Sequence, residues 1–305
     1  MHSLPILDGL IAAAHSPFDA DGALDVSHVP QQAALFREMD LIGVFVGGST
    51  GEWFALTVEE RQALTEAWVE AAGGDLVVIA HVGGIAIEAA QQLAAHAACA
   101  GVSAISCLVQ PHTGDYSASS AVDYMAAVAS AASETPSFYY DMQAVTGVDV
   151  PLDVLLEEAL DRVPTLAGAK YTNSDLVTLT RARQVGEGLQ ILMGRDEMLL
   201  DALVTGVTGA VGSTYNYAAT VYQRIRAAMA AGDVEAAARA NAEVAQFIEA
   251  LLEVGVLPGG KAIMGWMGVA VGTPRPPHDT LTPEEAAAFH AAIKDMDIFA
   301  RPLRP

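Results

Sequence analysis

Eight short apolar runs, separated by alanine-rich stretches of helical period, constrain this chain more than any other feature. The runs lie at residues 10–14, 42–46, 76–81, 104–109, 137–140, 166–170, 189–193 and 209–212. Between several of them, residues 57–72, 87–100, 118–132 and 152–160 carry apolar side chains at three- and four-residue spacing, as a helix with one buried stripe requires. The runs are continuously apolar rather than alternating, which suits strands in a sheet covered by helices. Strand and helix alternate in units of about 25 to 35 residues, so the sheet should be parallel. Eight units close a barrel, and 305 residues leave room for one of about 250 residues with an extension. A doubly wound open sheet is the alternative, but no G-x-G-x-x-G follows the first run. The expected fold is an α/β (β/α)8 TIM barrel.

Local signals agree with this frame. Thr57-Val58-Glu59-Glu60 reads as a capping box, and Asp175 and Asp196 precede helical runs, where a carboxylate suits the positive helix end. After about residue 217 no strand pattern returns. Residues 218–231, 233–254, 259–269 and 283–295 read as helices, with breaks at Gly232, Pro258 and the proline-rich turn 274–277. Two units follow: a barrel over residues 1–217 and a helical extension over 218–305. No flexible-linker composition separates them, so the extension should pack on the barrel.

Composition removes several function classes. A net charge of −22 disfavours nucleic acid and anionic membranes as partners, since both are bound mainly through Lys and Arg. A small-molecule substrate remains, and an anionic one must be drawn in by local groups. Cys99 and Cys107 form no C-x-x-C pair and read as core filling. The eight histidines include no H-x-x-x-H or H-x-H spacing, so neither a metal nor another cofactor is expected. The N-terminus shows no basic region followed by an apolar run, and no uncharged stretch of about 18 apolar residues occurs. A soluble, cytoplasmic protein is expected.

In a parallel barrel the active site forms at the C-terminal strand ends, so polar residues that close an apolar run carry the functional signal. Val44-Phe-Val-Gly-Gly-Ser-Thr-Gly-Glu52 leads a strand into glycines, hydroxyls and a helix start. Gly47 and Gly48 permit a tight turn, while Ser49, Thr50 and free backbone N–H groups could hold a carboxylate. Lys170, one of only three lysines, ends the sixth run, with Thr172 two residues on. Apolar surroundings disfavour a charged amine, so a lysine there could attack a 2-oxo acid and form a Schiff base; simple pairing with a carboxylate is the plainer alternative. Tyr140 closes the fifth run and could shuttle a proton, though Tyr139 beside it shows that aromatics are ordinary strand residues here. Only one of the two can face the barrel interior. Gly194, Asp196 and Glu197 follow the seventh run and Ser213 the eighth. The acids could accept hydrogen bonds from a polyhydroxylated substrate or merely cap a helix.

Together and in this order, these motifs resemble the N-acetylneuraminate lyase and dihydrodipicolinate synthase family of pyruvate-dependent class I aldolases, over about residues 8–277. The resemblance implies that Gly47–Glu52 is the pyruvate-carboxylate loop, Tyr140 the proton-shuttling tyrosine and Lys170 the Schiff-base lysine. Within the family, residues 194–197 and 212–216 resemble the signature with which sialic-acid lyases hold the sugar's hydroxyl chain, through a glycine, both acids and the serine. Thr172 also matches that branch, as do Lys261-Ala-Ile-Met264 and the turn 274–277. The synthases usually carry an arginine where Val145 stands, so that reading is weaker. His112 and Thr113 follow Pro111 where the family often has an aromatic, and Asp141-Met-Gln143 replaces the common Asn-x-Pro. The resemblance implies cleavage of sialic acid to pyruvate and N-acetylmannosamine, and a homotetramer. A different 2-keto-3-deoxy acid aldolase and a non-catalytic 2-oxo-acid sensor are the rival readings.

Overall fold

A computed structural model describes residues 4–111 and 116–304; His112 and Thr113, where an aromatic was looked for, lie outside the described residues. The strands are β1 (Leu10–Ala13), β2 (Gly43–Val46), β3 (Val77–His81), β4 (Ala104–Cys107), β5 (Ser137–Asp141), β6 (Leu166–Tyr171), β7 (Gln190–Met193) and β8 (Gly209–Gly212). All pair in parallel with their sequence neighbours, and β8 returns to β1 to close the barrel. Each expected apolar run became a strand.

Helices α1 (Val29–Glu38), α2 (Val58–Ala72), α3 (Ile87–Ala100) and α4 (Ala118–Ser130) follow the first four strands. Beyond β5 come a single turn, α5 (Gln143–Thr146), and α6 (Leu152–Leu160); α7 (Leu176–Ala182) follows β6 and α8 (Leu199–Val204) follows β7. The extension holds α9 (Tyr215–Ala230), α10 (Val234–Val254), α11 (Val256–Trp266) and α12 (Pro283–Ile293). Thr57 and Glu60 form the expected reciprocal cap on α2, and the Asp175 carboxylate accepts from the Val177 amide at the start of α7. Asp196 caps nothing in its own segment, because its side chain turns inward to Thr214.

Two further expectations are corrected. Pro258 does not break a helix; it sits in the first turn of α11, where no intrahelical N–H is required, and the chain bends instead at Gly255, with φ of 87°. Cys99 is exposed on the outer face of α3, whereas Cys107 is buried as expected. The helix after β8 begins at Tyr215 and bends at Ala218 (φ −117°, ψ 20°), so it spans the expected division at 217. It packs on β1, β8 and α8, while α10 packs on α9 and carries α11 and α12. Among the described residues no helix is long and apolar enough to cross a membrane.

Two apolar cores follow from strand alternation. Ile11, Phe45, Ile79, Phe138, Tyr140, Leu192 and Val211 fill the barrel interior. Leu10, Val44, Val78, Tyr139, Ala169, Tyr171 and Met193 pack outward against the helices. Of the two tyrosines on β5, Tyr140 is therefore the inward one.

Candidate active site

Lys170 reaches the interior through a break in the alternation of β6. Leu166 packs with the outer core and Ala167 with the inner one, so strict alternation would send Ala169 inward and Lys170 outward. The pairing with β5 slips there: Ser137 faces Leu166, but Phe138 faces Gly168. Gly168 makes this bulge possible, because its φ is +147° and a Cβ would lie 1.8 Å from the Gln190 carbonyl oxygen. Beyond the bulge Tyr140 lies opposite Lys170, and both point inward.

The lysine amine is enclosed by rings. Lys170 Nζ donates to Tyr140 Oη at 3.1 Å and stands 4.6 Å from the Phe45 ring centre. Ser49 Oγ lies 3.4 Å from the same phenol oxygen and donates to Met142 Sδ at 3.5 Å. Lysine, tyrosine and the first hydroxyl of the β2 loop thus form one contiguous polar line at the barrel mouth.

A cavity of about 500 Å³ opens above them. Lys170, Tyr140, Ser49, Thr50, Thr172, Gly194, Asp196 and Ser213 all line it, as the strand-end reading requires. Gly48 and Glu197 do not. Gly48 lies behind the wall, where a Cβ would come within 2.8 Å of the Phe45 ring. Glu197 turns aside to pair with Arg195 at 2.7 Å. Thr172 Oγ1 is buried without a protein partner. Asp196 is buried and accepts from the Thr214 amide and hydroxyl at 2.7 and 2.6 Å. Burial pushes its carboxyl above the usual range, against the opposing pull of those two donors. Both glycines of this wall leave room for neighbours: a Cβ on Gly212 would meet Asp196 Oδ1 at 2.1 Å, and one on Gly194 would meet Thr172 Oγ1 at 2.2 Å.

The loop after β2 differs from the expected helix start. Glu52 adopts the left-handed conformation at φ 57°, only a single 3-10 turn follows at Trp53–Ala55, and the Glu52 and Trp53 amides turn back onto the Ser49 and Gly48 carbonyls. An α-helix cannot begin through a left-handed residue, so α2 starts after Leu56 with its own cap. Below this loop, His81 Nδ1 lies 2.9 Å from the Gly47 carbonyl oxygen, and buried Arg61 bonds the His81 and Gly83 carbonyls. Burial holds the His81 imidazole well below its ordinary range and the Arg61 guanidinium down at about 10.

Sequence reasoning missed the far wall. Gly255, Val256, Leu257 and Pro258, at the start of α11, line the cavity together with Phe54, Met142 and His278. The signals were present as the Pro258 and 274–277 punctuation, but helical pattern alone does not say which helix end meets a barrel mouth. Of the segment after the tyrosine, Met142 lines the cavity, while Asp141 points out of the barrel.

Comparison with known proteins agrees with this arrangement. Residues 6–296 match the dihydrodipicolinate synthetase family. An N-acetylneuraminate lyase of Mus musculus is 33% identical over 302 residues, covering 97% of this chain and 94% of that protein. One from Rhizobium meliloti is 34% identical, covering 94% of each. The solved structure of the Proteus mirabilis N-acetylneuraminate lyase superposes with a TM-score of 0.93 at 32% identity, over 96% of this chain and 100% of that one. An eight-stranded barrel with an inward lysine and tyrosine at its mouth, matched over nearly its whole length, identifies this chain as a member of the dihydrodipicolinate synthetase family.

Proposed function

We propose that this protein is a Schiff-base aldolase that cleaves N-acetylneuraminate reversibly to pyruvate and N-acetylmannosamine. The contact of Lys170 Nζ with Tyr140 Oη, at the floor of a cavity lined by Ser49, Thr50 and Asp196, carries the reading. N-acetylneuraminate lyases among the relatives support the choice of substrate.

In this reading, the neutral Lys170 amine attacks the C2 ketone of the open-chain sugar acid; Tyr140 Oη gives its proton to the departing hydroxyl, so that loss of water leaves a protonated imine beside a phenolate. Ser49 and Thr50 hold the substrate carboxylate. Tyr140 Oη accepts the C4 hydroxyl proton as the C3–C4 bond breaks, and the bonding electrons pass into the imine to give an enamine. N-acetylmannosamine departs as the aldehyde. Protonation at C3 restores the imine, and water hydrolyses it to pyruvate and free lysine. Thr172, Asp196 and Ser213 face the cavity from just beyond the ends of β6, β7 and β8, placed to bond the hydroxyl chain. Glu197 joins them only if its pair with Arg195 opens.

Incubation with N-acetylneuraminate and borohydride tests this directly. N-acetylmannosamine should be released, and peptide mass mapping should find a reduced pyruvyl adduct on Lys170. An adduct on Lys261 or Lys294, or none, defeats the mechanism. Trapping on Lys170 with turnover only of a shorter 2-keto-3-deoxy acid leaves an aldolase but removes the sialic acid assignment.

A further inference from the structure

Beneath the β2 loop, on the side away from the cavity, lies a buried ion pair for which the aldolase chemistry has no use. Lys261 Nζ, on α11, stands 2.7 Å from Glu52 Oε1, and both side chains are almost wholly excluded from solvent. The lysine also donates to the Ser16 carbonyl at 2.9 Å and the Thr273 carbonyl at 3.2 Å. The other Glu52 oxygen accepts the Arg275 amide at 2.8 Å. Arg275 in turn bonds Glu60 on α2 at 2.6 Å and the carbonyls of Gly22 and Ala55. Apart from the Lys261–Thr273 bond, which lies within the C-terminal extension, these contacts join the extension to the loop between β2 and α2, to the first turn of α2 or to the segment after β1.

Glu52 is where that loop is least comfortable. It is one of two non-glycine residues with positive φ among the described residues, and local sterics alone disfavour that conformation. Its carboxylate is buried, so it must be held by partners that satisfy it. Lys261 and the Arg275 amide do so from opposite sides. Ser16 completes the frame by donating its hydroxyl to the Gly51 carbonyl at 2.6 Å. Ser49 and Thr50 lie three and two residues before Glu52, so the backbone that presents their hydroxyls to the cavity turns close to where Glu52 is anchored.

We infer that Glu52 and Lys261 form a positioning pair through which the C-terminal helices set the conformation of the carboxylate-binding loop. Neither group touches substrate. The inference rests on the reading that the Ser49–Thr50 loop takes the substrate carboxylate. It explains why the loop keeps a left-handed glutamate, and it makes α11 serve the site twice, by walling the cavity at residues 255–258 and by anchoring the loop opposite.

The test is the pyruvate concentration that half-saturates borohydride trapping on Lys170, measured in wild type, Glu52→Gln, Lys261→Met and the double variant, with thermal melting as the folding control. Both single variants should raise that concentration about tenfold or more, while kcat at saturating substrate changes by less than about threefold. The double variant removes both charges at once, so it folds even if a single variant with one uncompensated charge does not. It should remain folded and bind pyruvate weakly. Half-saturation unchanged in the folded double variant overturns the inference. So does a response of opposite sign in the two single variants, with Glu52→Gln binding more tightly, because that marks an effect of charge without positioning. Failure to trap pyruvate in wild type overturns the reading of Lys170, and this inference with it.

Discussion

Neighbouring side chains on β5 face opposite environments, and that contrast sets the pH behaviour of the molecule. Tyr140 points into the barrel mouth, whereas Asp141 points outward beside Tyr139 and Tyr171, 5% exposed. Burial pushes its carboxyl up to about 7. An aspartate raised above its unfolded value keeps its proton in the native state while the unfolded chain has lost it. It therefore costs stability progressively from about pH 4 to about pH 7, and fully above that. Asp141→Asn removes this penalty, which is on the order of 4 kcal/mol at pH 8. The melting temperature of the variant relative to wild type should rise between pH 5 and pH 8, as followed by circular dichroism. A constant difference across that range would show that Asp141 titrates normally. At this scale eight of the ten expected site residues line the cavity, Gly48 and Glu197 being the exceptions, and the sequence could not tell Asp141 from Met142 as the one that lines it, because that depends on which way the strand end faces.

Among the elements, β6 carries the decisive irregularity. Its apolar run was legible from the sequence, as was the lysine at its end, yet an unbroken strand would have turned that lysine toward the helices. The bulge at Gly168 reverses the alternation and brings Lys170 opposite Tyr140. Gly168→Ala would need both a left-handed-side φ of +147° and a Cβ 1.8 Å from a backbone oxygen of β7. The Gln190 backbone cannot yield, since it is part of the barrel. The variant should lose about 3 kcal/mol or more of stability, or fail to accumulate in soluble form, and any folded fraction should trap pyruvate poorly. Full trapping at wild-type stability would show that the bulge forms without glycine. The helices were legible by period, and their caps by residue type at α2 and α7. The start of α11 was not, because a proline reads as a break until its place within the first turn is known.

Over the whole molecule, charge opposes function. A chain with net charge −22 presents a repulsive field to any carboxylate substrate, and the groups that offset it are few and local. Lys170 lies against Tyr140 in the cavity, Lys261 is matched by Glu52, and Arg61 lies buried under the Gly47–Gly83 backbone. Salt should therefore help. Raising ionic strength from about 10 to about 150 mM shortens the screening length from about 30 to about 8 Å, so the KM for pyruvate should fall about twofold or more, with kcat nearly constant. Steady-state kinetics over that range would check this, and a rising KM would mean that the local cations dominate the approach. Size and charge were readable without a structure, but the position of each cation relative to the mouth was not.

What the chain itself determines is the periodic architecture. Eight apolar runs parted by helical stretches admit few closed arrangements, and polar residues at the run ends must then gather at one mouth, because parallel strands all point the same way. Lys170, Tyr140, Ser49, Thr50 and Asp196 were legible for that reason. Tertiary structure alone decided the rest: the bulge that turns Lys170 inward, the arrival of α11 opposite the β2 loop and the Lys261–Glu52 pair. Each of these depends on contacts between residues far apart in the chain or on a one-residue slip in strand pairing, and neither leaves a period in the sequence from which it could be read.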